Sequence, residues 1–250
     1  MDRTERSREQ YRKLFGDGEP PMQTTDPELQ DILNRFIFGE VAYRGDMDNK
    51  MRELLTVTVL TVNQTLPQLK AHIHGALNAG AAPEEVKETL YQCTPYIGFP
   101  KTINAVITAN EVFDERGIKY PLAHQGTVNE DTRFEKGLAV QTEIFGSVIG
   151  NMRENAPQNQ KHIQDYLSAM CFGDFYTRQV LDLKQRELIT LCAIAALGGA
   201  DSQVKSHVQG NVNVGNSKET IITALTQCLP YIGFPRTLNA LNCLNEIIPE

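Results

Sequence analysis

Two glutamate and histidine pairs in otherwise apolar segments are the residues of this chain best suited to acid–base chemistry. Glu53 lies in an apolar helical segment, and His72 follows one predicted hairpin later, with Gln68 one turn before it on the same helix face. A carboxylate that faces an imidazole sets its tautomer and tunes its pKa towards neutrality, which suits a general base or a proton relay. The same three residue types recur later in the chain, at Glu187, Gln203 and His207.

The chain repeats itself, so each candidate residue can be checked against its own copy. Residues 91–105 return as residues 226–240 with 11 of 15 positions identical, at an offset of 135. The match extends backwards over nearly the whole chain, and a polar link separates the two copies. We therefore predict two homologous domains, residues 1–125 and 126–250.

A few further polar residues occur in apolar settings in both copies and are candidates for substrate binding. An arginine can pair with a carboxylate through two parallel hydrogen bonds. A glutamine can hydrogen-bond a carboxylate or a carbonyl, and a tyrosine can place its phenol at the mouth of a pocket. The paired candidates are Arg44 and Arg178, Gln68 and Gln203, Gln92 and Gln227, and Tyr96 and Tyr231.

Apolar residues recur with helical spacing throughout both copies. Leu54, Leu55, Thr58, Val59 and Val62 follow this spacing. No segment shows the convincing alternation that a half-buried strand would need. We predict an all-α protein with about six helices in each half, built as two tandem helical-bundle repeats related by a pseudo-two-fold axis.

Charge and composition restrict the partners and the location. A net charge of -7 argues against nucleic acid or an anionic membrane as the main partner. No apolar run reaches the roughly 18 residues of a membrane-spanning helix, and the first residues lack the apolar core of a signal peptide. We therefore expect a cytoplasmic protein with a small-molecule substrate. Five cysteines without a CxxC pair predict buried free thiols, and no residue spacing indicates a metal or another cofactor.

Several segments together resemble the carboxymuconolactone decarboxylase and alkylhydroperoxidase D superfamily in a fused two-domain form. They are residues 52–55, 71–80, 83–86 and 96–100 in the first copy, and residues 186–189, 207–210 and 231–235 in the second. The resemblance implies an all-helical fold. Single-domain members of that family commonly form trimers of dimers, so for a fused pair the resemblance implies a homotrimer.

The resemblance also separates the two branches of that superfamily. The peroxidase branch carries two cysteines before its histidine, and those positions hold Thr65 and Gln68 here, with Ala200 and Gln203 in the second copy. Without a thiolate and its partner, a CxxC-type peroxidase is not expected. The decarboxylase branch usually has a histidine at the position of Gln92, so the Glu/His pairs are left as the proton-handling residues.

We therefore predict a cofactor-free acid–base enzyme that decarboxylates or isomerises a small carboxylated lactone or ring acid. His72 or His207 would move the proton, the paired glutamate would orient the ring, and Arg44 or Arg178 would bind a substrate carboxylate. One alternative is a peroxide-linked oxidoreductase with another cysteine arrangement. Another is a non-catalytic ligand-binding or assembly protein, in which the Glu/His pairs are buried structural contacts with no solvent-reachable pocket beside them.

Overall fold

A computed structural model describes residues 2–18, 20 and 22–249, and its regular structure is helical, with no strand in that part of the chain. The first half contains α1 (Arg3–Phe15), α2 (Pro27–Ile37), α3 (Asn49–Asn63), α4 (Leu66–Asn78), α5 (Pro83–Ile97) and α6 (Phe99–Glu115). The second contains α7 (Arg133–Phe145), α8 (Val148–Glu154), α9 (Lys161–Tyr166), α10 (Leu183–Leu197), α11 (Asp201–Asn213) and α12 (Lys218–Ile247). A π-helix, Leu167–Tyr176, follows α9, and short 3₁₀ turns cover Val41–Tyr43 and Gln158–Gln160. Helices make up 75% of the described residues, which confirms the all-α prediction.

Helices α3 and α10 form the centre of the molecule, where the two repeats share one core. Residues 52–62 of α3 and residues 186–196 of α10 are all buried. A helix that is buried on every side belongs inside a protein rather than on its surface. The two helices pack against each other. Helix α3 also packs against α12 of the second repeat, and α10 packs against α5 of the first.

An aspartate starts each central helix in the same way. Asp48 Oδ1 accepts a hydrogen bond from the backbone nitrogen of Met51 at 2.7 Å, and Asp182 Oδ1 accepts one from Gln185 at 2.8 Å. Such caps satisfy backbone N–H groups that the first helical turn leaves free. Each cap lies five residues before a candidate glutamate and fixes where that glutamate falls along its helix.

Reciprocal side-chain contacts relate the repeats. Arg52 donates to Gln227 Oε1 at 3.2 Å, and Arg186, its counterpart, donates to Gln92 Oε1 at 2.8 Å. Each glutamine amide then donates at 3.1 Å to a threonine one turn further along the arginine's helix. Two units related by a two-fold axis make the same contact in both directions. These reciprocal contacts therefore support the predicted pseudo-two-fold axis.

Glycines turn the chain at the two equivalent ends of the repeated segment. Gly98 separates α5 from α6 with a φ of 82°, and Gly233 bends α12 with a φ of 77°. Residues other than glycine rarely adopt this backbone conformation. Tyr96 lies two residues before its turn, near the end of α5, and Tyr231 lies two residues before the bend in α12.

The link between the halves, residues 118–128, contains no helix, and the division into domains 1–125 and 126–250 remains a prediction. Within the described residues, none of the helices combines the length and the apolar character that crossing a membrane requires.

Candidate active site

Helices α10 and α11 bring Glu187 and His207 together beside a cavity. His207 Nδ1 lies 2.9 Å from Glu187 Oε2, and both side chains are buried. Because a carboxylate can only accept, Nδ1 carries the proton of this hydrogen bond and the lone pair stays on Nε2. His207 lines a cavity of about 490 Å³. Its Nε2 atom is therefore the nitrogen that can exchange a proton with a bound molecule.

The carboxylate of Glu187 is held on both oxygens. Tyr176, at the end of the π-helix, donates its hydroxyl to Glu187 Oε1 at 2.6 Å, while His207 occupies Oε2. Gly210 closes the remaining side, since a Cβ atom there would lie 2.5 Å from Oε2. The glutamate is thus fixed in the orientation that holds the imidazole.

A buried network extends from Tyr176 to the first repeat. Its hydroxyl lies 2.8 Å from Thr190 Oγ1 and 3.1 Å from the hydroxyl of Tyr96. Because the one proton of Tyr176 is donated to Glu187, both neighbouring hydroxyls act as donors to its oxygen. Thr190 in turn accepts from Gln92 Nε2 at 3.1 Å. The structure thus places Gln92 inside the supporting network.

The tyrosines are exchanged between the repeats. Tyr96 of the first repeat stands edge-on to His207, with ring centroids 5.8 Å apart, and lines the cavity. Tyr231 of the second repeat stands edge-on to His72 at 5.3 Å, with its hydroxyl 3.5 Å from Nε2. Each histidine site is therefore built from both halves of the chain.

The cavity beside His207 has mostly apolar walls, which include Phe145, Met152 and Phe172. Its described lining contains no lysine or arginine, and its polar members are Tyr96, Gln141, Gln203, Ser206 and His207. Gln141 Oε1 accepts from Ser168 Oγ at 2.7 Å. Its amide N–H groups are therefore what Gln141 can offer to a ligand.

Glu53 and His72 of the first repeat make the same contact between carboxylate and imidazole, but the residues around them differ. His72 Nδ1 lies 2.7 Å from Glu53 Oε2, and His72 has the same exposure as His207, 8%. Ala42 occupies the position that corresponds to Tyr176. The tyrosine that holds the second carboxylate oxygen therefore has no counterpart in the first repeat.

The predicted arginines lie away from the two histidines. Arg44 is exposed, next to a 3₁₀ turn. Arg178 donates through Nε and one terminal nitrogen to the buried carboxylate of Glu88, at distances of 2.9 to 3.0 Å. It lines a different pocket from that of His207. Glu88 thus occupies the guanidinium of Arg178, which we expected from the sequence to bind a substrate carboxylate.

The predicted glutamines fall into two groups. Gln68 and Gln203 are exposed, and Gln203 lines the cavity. Gln92 and Gln227 are buried and bridge the repeats through their arginine and threonine partners. The structure therefore joins Tyr96, Gln203 and His207 around one cavity and leaves the inner glutamines as supports.

Burial keeps the hydroxyls and the thiol of the site protonated. It raises the pKa of Tyr96 well above its ordinary value, with further contributions from nearby Cys171 and Glu187. Burial and the charge of Glu187 do the same to the pKa of Tyr176. Burial also raises the pKa of Cys171, which lines the cavity, to about 12.

The five cysteines offer little support to thiol-based peroxide chemistry. All are free and buried, and burial raises the pKa of Cys93 to about 12 as well. A thiolate, rather than a thiol, is the nucleophile in such reactions. The thiols of Cys93 and Cys171 therefore offer no activated nucleophile to the oxidoreductase alternative.

Tyr176, Thr190, Gln141 and Phe145 are site residues that the sequence did not indicate. One signal for Tyr176 was present, because the offset of the repeats places an alanine opposite it. A tyrosine in one copy alone marks a difference between the two sites. The cavity residues of α7 gave no such signal, because the copies diverge there in length.

The carboxymuconolactone decarboxylase family model matches the chain twice, over residues 27–111 and 161–246. A 4-carboxymuconolactone decarboxylase of Acinetobacter baylyi is 26% identical over 124 residues, which cover 49% of this chain and 92% of that protein. A nitrosuccinic acid decarboxylase of Metarhizium robertsii is 30% identical over 96 residues, 37% of this chain and 67% of that protein.

A solved structure shares the fold along almost the whole chain. It is described as a gamma-carboxymuconolactone decarboxylase subunit from Burkholderia xenovorans and superposes with a TM-score of 0.56. The alignment covers 96% of this chain and 95% of that one, at 19% identity. At this identity the likeness shows the common fold alone.

Proposed function

Because this chain belongs to the carboxymuconolactone decarboxylase family, we propose that it is an acid–base enzyme that decarboxylates a small carboxylated lactone or ring acid. The working site is the cavity at His207. One observation carries this assignment: a histidine whose Nδ1 is fixed by a doubly held carboxylate lines a cavity large enough for a small substrate. Isomerisation of the same class of compound uses the same proton transfer.

The names of the relatives support the reaction class. Both characterised relatives are named as decarboxylases, one for a carboxylated lactone and one for a nitro-substituted diacid. Each name pairs a carboxylate with an electron-withdrawing group in the same small molecule. Such a group accepts the electron pair that remains when carbon dioxide leaves.

The residues of the cavity can perform the proton transfer. The bond between the substrate carbon and its carboxylate breaks, carbon dioxide leaves, and the electron pair moves into the adjacent carbonyl to form an enolate. His207, after its free Nε2 has taken a proton from solvent, then gives that proton to the carbon, and Nε2 again holds a lone pair until solvent protonates it for the next turnover. The charge of Glu187 stabilises the imidazolium form while it lasts.

Two features of the walls favour the loss of carbon dioxide. A carboxylate set against the apolar side of the cavity loses hydration and meets no lysine or arginine there, whereas carbon dioxide is neutral. Tyr96 stays a neutral phenol, and it can turn its proton from Tyr176 to the oxygen of the enolate. The carboxylate is thus destabilised and the developing charge is stabilised.

The proposal includes a second, weaker site at His72, where the glutamate lacks the tyrosine donor. It also includes a cytoplasmic location, with which five buried free thiols agree. The residues present supply both the acid and the orienting base, so the reaction as proposed needs no cofactor.

Measurement of carbon dioxide release from 4-carboxymuconolactone and from nitrosuccinic acid tests the proposal. We expect His207→Ala to reduce turnover by about 10²- to 10⁴-fold, the usual contribution of a general acid. His72→Ala is the matched control, because it removes the equivalent residue of the other repeat, and we expect it to retain most of the activity.

If His72→Ala lost more activity than His207→Ala, the reaction would take place in the first repeat. Full activity of a variant that carries both His207→Ala and His72→Ala, or no turnover of either acid by the unaltered protein, would contradict the decarboxylase assignment. Circular dichroism of each variant verifies that the helices are intact.

A further inference from the structure

A second pocket, of about 320 Å³, lies between α5 and the link that joins the repeats. Lys87 of α5 lines it and is only 7% exposed. Its Nζ atom donates to Asn110 Oδ1 at 2.5 Å and lies 5.3 Å from the ring centre of Phe113. No carboxylate of the described residues lies within ion-pair distance, 4.0 Å, of this ammonium. The pocket therefore contains a buried cation whose hydrogen-bond partner is a neutral amide.

Glu88, the buried acidic residue of this pocket, is already paired. Glu88 accepts hydrogen bonds from both Arg178 and Arg186, at distances between 2.9 and 3.2 Å. Glu84, the other acidic residue of the lining, forms no ion pair among the described residues. Lys87 therefore has no carboxylate partner in the lining, because two guanidinium groups hold Glu88 and Glu84 lies beyond ion-pair distance.

The second repeat has no cation at the place that corresponds to Lys87. Ile222 occupies the position that corresponds to Lys87, and Thr223 the position that corresponds to Glu88. The residue opposite Asn110 is Asn245, so the amide is present in both copies. Ile222 is 38% exposed, so the buried ammonium and its desolvation cost belong to the first repeat alone.

We propose that the pocket binds a small organic carboxylate, with its charge on Lys87. The apolar part of the ligand lies against Val106, Leu122 and the rings of Tyr91 and Tyr120, which form the outer walls. The volume falls at the lower end of the range of ligand pockets, about 300 to 1,000 Å³, and suits a single ring. The site is separate from the cavity of His207, and its occupation does not depend on the reaction proposed there.

Burial lowers the pKa of Lys87 to about 8, so most of these side chains carry a proton at neutral pH. A bound carboxylate would add the anionic partner that the ammonium lacks and would restore part of the lost solvation. Binding should therefore weaken as the pH rises above that value.

Titration with 4-fluorobenzoate, followed by ¹⁹F NMR of the probe, tests the proposal. We expect saturable binding to the full chain, and Lys87→Ile, the residue of the other repeat, should weaken it by about 10- to 100-fold, as for one charge-assisted hydrogen bond. Asn110→Asp is a second variant, which supplies a carboxylate to the ammonium and should have the same effect. Neutral 4-fluorobenzamide should bind at least about tenfold more weakly than the acid.

His207→Ala separates the two cavities, and the probe binding that Lys87→Ile weakens should persist in it. The proposal is overturned if His207→Ala abolishes binding while Lys87→Ile does not, because the probe then occupies the other cavity. It is also overturned if the benzamide binds as well as the benzoate, or if no saturable binding is observed.

Discussion

Tyr176 is the residue that most clearly distinguishes the two histidine sites. Its hydroxyl holds Glu187 and accepts from Tyr96 and Thr190, whereas Ala42 stands at the corresponding place of the first repeat. A site with this additional donor keeps its glutamate in one orientation. The difference arises from a single side chain within a shared backbone arrangement.

We expect Tyr176→Phe to lower turnover at His207 by about tenfold, the effect of one lost hydrogen bond on a group that must stay oriented. The variant also leaves two hydroxyls without their acceptor, so unfolding in urea should begin at a lower concentration. Tyr166→Phe, at a tyrosine that is 63% exposed, is the control and should change neither quantity. Unchanged turnover in Tyr176→Phe would show that Glu187 needs no second donor.

Lys87 gives the stability of the protein a specific pH dependence. Burial lowers its pKa from 10.5 to about 8, so between these values the unfolded chain binds more protons than the folded one. Stability therefore rises with pH in this window, and the cost of the buried charge is largest below it. Relative to the unaltered protein, Lys87→Met should be more stable at about pH 7 and should lose that advantage towards about pH 10.

Urea unfolding of both proteins across this range measures the difference. The other titratable or charged groups of the pocket are common to both proteins, so their direct contributions largely cancel: Glu84, Glu88, Tyr91, Tyr120, His124 and Arg178. A difference in stability that does not depend on pH would contradict the assignment of a lowered pKa to Lys87.

At the scale of elements, the glycine turns after α5 and within α12 deliver the exchanged tyrosines. A Cβ atom at Gly98 would meet only Pro100 Cδ at 3.8 Å, so the requirement for glycine comes from the backbone conformation. We expect Gly98→Ala and Gly233→Ala each to lower the free energy of unfolding by about 1–3 kcal/mol. Gly98→Ala should also impair the His207 site by moving Tyr96, whereas Gly233→Ala should act on the surroundings of His72.

Gly150 supplies the matched control for these turns. It lies in α8 without a positive φ, and a Cβ atom there would meet nothing within 4 Å. Gly150→Ala should be neutral or should stabilise the protein by up to about 1 kcal/mol, because alanine is the better helix former. Chemical denaturation of the three variants gives the comparison, and an equal loss in all three would remove the argument from backbone conformation.

At the scale of the whole molecule, equivalent apolar stripes lie on the surface of both repeats. Phe99, Ile103 and Ile107 follow one face of α6, and Phe234 and Leu238 follow the corresponding face of α12; all five are more than half exposed. Residues four apart share a helix face, so each repeat presents a continuous patch. We propose that these two patches form the contacts between chains in the predicted homotrimer.

We expect sedimentation equilibrium to give three times the mass of the chain, and Ile103→Glu combined with Leu238→Glu to yield monomers. Gln209→Glu, at an exposed position of α11, is the control and should leave the assembly intact. A monomeric unaltered protein would contradict the homotrimer.

The sequence predicted the helices, the repeat and the two Glu/His pairs, because periodicity and an internal copy are local or directly comparable properties. It could not predict that Tyr96 belongs to His207 and Tyr231 to His72, since that depends on how the repeats pack. Arg178 was assigned to a substrate because nothing in the sequence shows that Glu88, 90 residues earlier, meets its guanidinium. The cavity itself depends on α7 and the π-helix, where the two copies differ most.

The exchanged tyrosines also have a consequence for inheritance. A mutation of the Tyr96 codon alters the site at His207, so defective alleles of these two residues belong to one functional group. Alleles of Tyr231 and His72 belong to another. In a symmetric pair of single-repeat chains, one gene would specify both sites and every mutation would appear twice. In the linked chain each site has its own codons, so one can diverge while the other remains under selection.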